Sequence, residues 1–238
     1  MTGRGKVLVA GIAAVAAVGL YLAGYARVIP LPDWMTGKTD RTTTALYQSR
    51  LDYFRQFPAV GALVFVGDSL TEFGEWAEHF PEYRVANRGI GNDHTIGLAQ
   101  RLGALGDLSQ STVILTIGVN DVLALRSQPS DIIARYQAIV GELMSRSKAV
   151  VLQSTIPVTA PADTRANVSF AEMNVAMQAS CRDNCSYLDL AALRAEDGSL
   201  RSDMTIDGIH LNGAGYLAWA KALREHLAGL EGEAGPQD

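Results

Sequence analysis

Five short apolar or branched runs, each bounded by glycine or turn residues, alternate with helical patterns, and this alternation constrains the chain more than any other feature. The runs cover residues 62–66, 84–87, 113–117, 149–153 and 187–189, a length and composition suited to strands. The helical patterns are clearest over 130–147, 169–181 and 212–228, where Ser130, Ser169 and Asn212 stand in N-cap position. Near-continuous apolar strands that alternate with helices form a parallel sheet covered on both faces, with right-handed crossovers. The expected architecture is α/β: a three-layer α/β/α sandwich around a five-stranded parallel sheet.

Length and composition fit this reading. With 238 residues, 48% hydrophobic, 23 Gly and 2 Cys, the chain is neither collagenous, disordered nor a disulfide-built miniprotein. One domain plus a short appendage is the natural partition below about 250 residues. The domain is expected over 45–229. It follows a linker at 27–44 with two prolines, and an acidic tail at 230–238 is expected to fray. A net charge of −5 and the lack of any Lys/Arg cluster exclude nucleic acid as the expected partner.

Residues 7–25 form a run of 19 residues without a charge, which as a helix reaches about 28 Å, close to the ~30 Å hydrocarbon layer. A transmembrane anchor over 1–26 is the first reading, and a cleaved secretory signal its main rival. The basic residues are nearly even on the two sides, Arg4 and Lys6 before and Arg27 and Lys38 after; with the usual N-terminus-inside orientation the anchored domain lies outside the cytoplasm, and with a cleaved signal it is secreted. The cysteines lean the same way. Cys181 and Cys185 could pair in an oxidising compartment if the helix stops between them, or stay as buried thiols.

In a parallel sheet, functional groups gather beyond the carboxyl ends of the strands, so the loops that follow the strands carry the information. After the first strand comes Gly67-Asp68-Ser69-Leu70 and the start of a helical pattern. A serine at such a turn exposes its hydroxyl, and its N–H groups face anionic charge. The exits of the second and third strands read Asn87-Arg88-Gly89-Ile90-Gly91-Asn92-Asp93 and Gly118-Val119-Asn120-Asp121, with amide side chains and small backbones whose N–H groups could converge on one oxygen. Near the C-terminus, Asp207-Gly208-Ile209-His210 precedes the last helix. A carboxylate three residues before an imidazole can accept its Nδ1–H and leave Nε2 free as a general base. His79, His94 and His226 have no such neighbour and read as bystanders, with His226 facing water. Each block alone fits an ordinary capped turn; the order of all four carries the weight.

In that order the blocks resemble the SGNH hydrolases, or GDSL esterase/lipase superfamily, over about 60–225. The spelling is most similar to the branch related to platelet-activating-factor acetylhydrolase subunits and bacterial lysophospholipase-type esterases, through NRGIGND and DGIHLNGAGY. The resemblance implies a flavodoxin-like sandwich and ester hydrolysis without a metal or organic cofactor. It implies Ser69 as nucleophile, His210 as base, Asp207 as the carboxylate orienting it, and an oxyanion hole formed by the N–H of Ser69, a backbone N–H of the second block and the side chain of Asn120. In that block Asn92 stands where the family has glycine, so either Gly91 or Asn92 supplies the donor.

The expected activity is hydrolysis of carboxylic esters, of short acyl chains or of lipid or sugar acyl groups, through an acyl-enzyme. The alternatives are an envelope O-acyltransferase or polysaccharide O-deacetylase using the same intermediate, and a non-catalytic binding module. No His/Asp/Glu cluster shows metal-ligand spacing. Loops 74–83 and 155–169 are the expected walls of the substrate site.

Overall fold

The computed structural model describes residues 40–233. Within them the sheet has five parallel strands in the order β2-β1-β3-β4-β5: β1 (Leu63–Gly67), β2 (Val85–Gly89), β3 (Thr112–Thr116), β4 (Ala149–Gln153) and β5 (Cys185–Leu188). Every neighbouring pair is parallel, with Gly67 level with both Gly89 and Thr116. This is the flavodoxin-like order, in which the chain first moves from β1 to one side and then crosses back to the other, opening a crevice at the carboxyl ends of β1 and β3.

The strands form where expected because both faces are covered. Val64, Val66, Val113, Leu115 and Val150 to Leu152 are fully buried, and each such side chain contributes about 1.5–3 kcal/mol relative to exposure. The two edge strands are less covered: β5 is only partly buried along its length and β2 alternates. β2 is also interrupted by a charge. It carries Arg88, which is buried with its guanidinium 4.8 Å from the centre of the Phe54 ring and donates to the carbonyls of Asn87 and Phe57.

The helices are α1 (Ala45–Gln56), α2 (Ser69–Glu72), α3 (Trp76–His79), α4 (Thr95–Arg101), α5 (Val119–Leu123), α6 (Pro129–Arg146), α7 (Ala166–Ser180) and α8 (Gly213–Glu233). Trp76 stacks on Phe65 and meets Trp219 of α8 edge-on, at ring separations of 4.4 and 4.8 Å. Tyr47, Leu51 and Phe54 repeat at helical spacing and bury the inner face of α1 against Ile90, the residue that follows β2.

Several boundaries differ from those expected. α6 starts at Pro129 rather than at a Ser130 cap, because proline at the first helical position gives up no hydrogen bond. α7 starts three residues before Ser169; Asn167 exchanges two hydrogen bonds with the backbone of Val158, which draws the helix upstream. Asn212 does cap α8, accepting from Gly215 N–H at 3.1 Å. That helix runs on to Glu233, into the stretch expected to fray. Asp40, placed in the linker, lies 3.3 Å from the buried His94. His226 does not simply face water: its Nε2 is 2.8 Å from Ser186 Oγ.

α7 ends at Ser180, and Cys181 and Cys185 are joined as a disulfide, so the helix stops before the pair, as pairing requires. The anchor or signal reading of 1–26 falls outside the described residues. Among the described residues no helix is long and apolar enough to cross a membrane.

Candidate active site

Ser69 opens a single helical turn at the carboxyl end of β1. Asp68 caps it, accepting from Leu70 N–H at 3.0 Å. The turn is four residues long, so any anion there meets individual N–H groups rather than the dipole of a long helix. Gly67 has no room for a side chain, since a Cβ would lie 2.2 Å from both Thr116 O and Thr71 Oγ1.

His210 arrives from the other end of the sequence. Its Nε2 is 3.0 Å from Ser69 Oγ and its Nδ1 is 2.6 Å from Asp207 Oδ2. The other oxygen of Asp207 accepts from the N–H groups of Ile209 and His210. Burial acts to raise the Asp207 carboxyl, but the bonds to His210 and Ile209 outweigh it and hold the group below the usual carboxylate range. The Asp207–His210 turn depends on Gly208, at φ 88°, where a Cβ would lie 2.2 Å from Thr159 O. The arrangement allows the hydroxyl proton to pass to Nε2 while the carboxylate stabilises the imidazolium.

The second and third strand exits meet beside Ser69. Asn120 Nδ2 donates to Asp93 O at 2.8 Å, and a Cβ built on Gly91 would lie 4.0 Å from Ser69 Cβ. Gly91 N–H is already donated to Glu72 Oε2, at 2.6 Å. The N–H groups of Ser69 and Asn92 have no partner among the described residues. Asn92 is in the left-handed region at φ 65°, which asparagine tolerates better than most residues.

The expected site residues Ser69, Asn92, Asn120, Asp207 and His210 therefore lie along one rim. Sequence reasoning missed the residues beneath it. Asp93 is wholly buried. It accepts from Tyr47 O–H and His94 N–H, and pairs with Arg101 Nε at 2.7 Å. Arg101 also donates to Gly67 O, which fastens the second block to the end of β1. Asp121 accepts from Thr95 N–H and Oγ1–H and lies 3.4 Å from Arg135. The only signal for these roles was the acidic residue that closes each of the two blocks.

Burial pushes the Asp68 carboxyl up to about 7; the Leu70 N–H bond opposes this, and the charges of Asp93 and Asp121 add to it. Its Oδ2 has no hydrogen-bond partner among the described residues.

Of the two expected walls, the stretch 74–83 contributes Trp76 and Phe80 to the core rather than to the rim. The residue that faces the imidazole is Phe73, exposed and 5.5 Å from the His210 ring. The stretch 155–169 does border the site, through Thr159 N–H donated to Gly208 O at 2.9 Å. A cleft of about 700 Å³ between α7 and the segment after β5 includes none of the five site residues. Among the described residues no group of three His, Cys, Asp or Glu side chains is arranged to hold a metal ion.

This sheet order, with the four blocks gathered on its carboxyl rim, places the chain among the SGNH hydrolases. More narrowly, it belongs to the GDSL-like lipase/acylhydrolase family, whose model matches residues 65–218. No curated protein matches it. Among solved structures it is similar to a candidate platelet activating factor from Streptococcus pneumonia, at 21% identity and a TM-score of 0.67, covering 89% of this chain and 99% of the other. It is also similar to a candidate acylhydrolase from Bacteroides fragilis, at 18% identity, a TM-score of 0.62 and coverage of 80% and 98%. A third is an acetylxylan esterase from Geobacillus stearothermophilus, at 19% identity, a TM-score of 0.56 and coverage of 70% and 93%. At these identities the likeness concerns the fold.

Proposed function

We propose that the chain is a serine esterase in which Ser69, His210 and Asp207 form the catalytic triad. The observation that carries this reading is the chain of contacts from Ser69 Oγ to His210 Nε2 at 3.0 Å and from His210 Nδ1 to Asp207 at 2.6 Å. His210 removes the hydroxyl proton, Ser69 attacks the ester carbonyl, and the protonated imidazole returns its proton to the leaving alcohol. Water then releases the acyl group with His210 again as base. The oxyanion is held by the N–H of Ser69, the N–H of Asn92 and Nδ2 of Asn120. Gly91 is set aside as donor because its N–H is committed to Glu72.

Phe73 is the apolar surface beside His210, and with aromatic residues only 7% of the chain, short acyl esters are the substrates we favour. The Cys181–Cys185 disulfide suits an oxidising compartment, in line with a domain on the outer side of a membrane.

The test is turnover of p-nitrophenyl esters of increasing chain length, with labelling by a fluorophosphonate. The wild-type chain should hydrolyse the acetate fastest and be labelled. Ser69→Ala should do neither while unfolding at the same temperature. Undiminished turnover by Ser69→Ala would overturn the assignment.

A further inference from the structure

We propose that Glu72 is a positioning residue that latches the oxyanion-binding loop, with Arg50 of α1 as its counter-ion; this rests on the esterase reading above. Glu72 lies three residues after Ser69, at the end of the turn that Ser69 opens. Its Oε2 takes Gly91 N–H at 2.6 Å, the short distance of a charge-assisted bond.

The bond has a directional consequence. Once the N–H of Gly91 is committed, the next N–H along the loop is that of Asn92, which has no partner among the described residues. Asn92 sits at φ 65°, a conformation open to asparagine more than to most residues, but its N–H keeps a fixed place only if the loop around it is held. The holding is done by the nucleophile's own turn. Asn87 Nδ2 lies within 3.2 Å of the carbonyls of Thr71, Glu72 and Gly74, and a Cβ on Gly89 would lie 2.3 Å from Glu72 N. The loop after β2 is thus tied to the backbone of the Thr71–Gly74 turn, and the Glu72 side chain adds the bond that reaches Gly91, next to Asn92.

A bare carboxylate here would oppose the reaction, because an unpaired negative charge in a partly buried site repels the negative charge that builds on the substrate oxygen and raises the barrier. Arg50 supplies the neutralising charge. Its Nε is 3.1 Å from Glu72 Oε1 and donates to Gly89 O at 3.1 Å. Arg50 precedes the segment that matches the family, 65–218, so α1 contributes to the site from outside it.

The latch is tested by amide exchange at Gly91 and by steady-state kinetics of the full chain on p-nitrophenyl acetate. Glu72→Ala should speed Gly91 exchange about tenfold and lower kcat about tenfold, with KM within twofold. Arg50→Ala should lower kcat about tenfold and Glu72→Gln by less. The double variant Arg50→Ala/Glu72→Gln should recover several-fold over Arg50→Ala, because the uncompensated charge is gone. A purely structural role gives no such recovery. Gly91 exchanging equally fast in wild type and Glu72→Ala, or a double variant no better than Arg50→Ala, would overturn the proposal. A wild-type chain inactive on the ester and unlabelled by a fluorophosphonate would defeat the esterase reading alone. Gly91 exchange would still decide the latch.

Discussion

Asn120 Nδ2 donates one hydrogen to Asp93 O at 2.8 Å, which ties the exit of β3 to the loop after β2 and leaves the second amide hydrogen available to a substrate oxygen. The side chain is thereby held in place before substrate arrives, so no ordering is needed during the reaction. Asn120→Ala should lower kcat for p-nitrophenyl acetate by ~10²–10³ with KM little changed. Asn120→Asp should be at least as impaired, since it removes the donor and adds a like charge. A KM effect with kcat preserved would mean that Asn120 binds substrate without stabilising the transition state.

Asp207 fixes which nitrogen of His210 faces Ser69. An asparagine in its place can donate to Nδ1 and turn the imidazole to the wrong tautomer. Asp207→Asn should therefore cost about 10³–10⁴ in kcat while the fold stays intact. The comparison of kcat and unfolding temperature between the two proteins checks this. Because the folded-state Asp207 carboxyl lies below its usual range, the stabilisation it gives is present above the unfolded value and is lost as pH falls through the folded one.

What the sequence made legible follows from burial. β1, β3 and β4 are covered on both faces and read as continuous apolar runs, and Asp207 and His210 are three residues apart, so their pairing is local. β2 was harder because Arg88 interrupts it. α1 was not recognised as a helix. Leu46, Tyr53 and Phe57 are exposed beside the buried Tyr47, Leu51 and Phe54, and apolar residues on both faces blur the period. Asp93, Arg101, Glu72 and Arg50 escaped because each acts through a partner that is distant in sequence or on another element, and no local spacing announces such a pair. The same holds for the choice between Gly91 and Asn92, which turns on where Glu72 points.

Asp68 yields a pH effect opposite in sign to that of Asp207. With its folded-state value pushed up to about 7 and an unfolded value near 4, the folded protein binds the extra proton between those limits. The stabilisation is full below about 4 and is lost as pH rises through 7. Asp68→Asn keeps an oxygen for the Leu70 N–H and removes the charge. Its unfolding temperature relative to wild type should rise between pH 5 and pH 8 by several degrees. Parallel curves for the two proteins over that range would show that Asp68 is already ionised at pH 5.

Two glycines at similar dihedrals separate backbone strain from site geometry. Gly208 has φ 88° and Gly198 φ 81°, but a Cβ would lie 2.2 Å from Thr159 O at Gly208 and meet nothing within 4 Å at Gly198. Gly198→Ala should cost about 1 kcal/mol of stability from the dihedral alone and leave kcat near wild type. Gly208→Ala should cost about 2–4 kcal/mol, because the collision is with backbone and the turn must move. That movement carries Asp207 and His210 away from Ser69, so kcat should fall at least tenfold at temperatures where the variant is still folded. Unfolding curves together with kcat at 20 °C distinguish the two effects, and a Gly208→Ala enzyme as active as Gly198→Ala would show that the turn tolerates the shift.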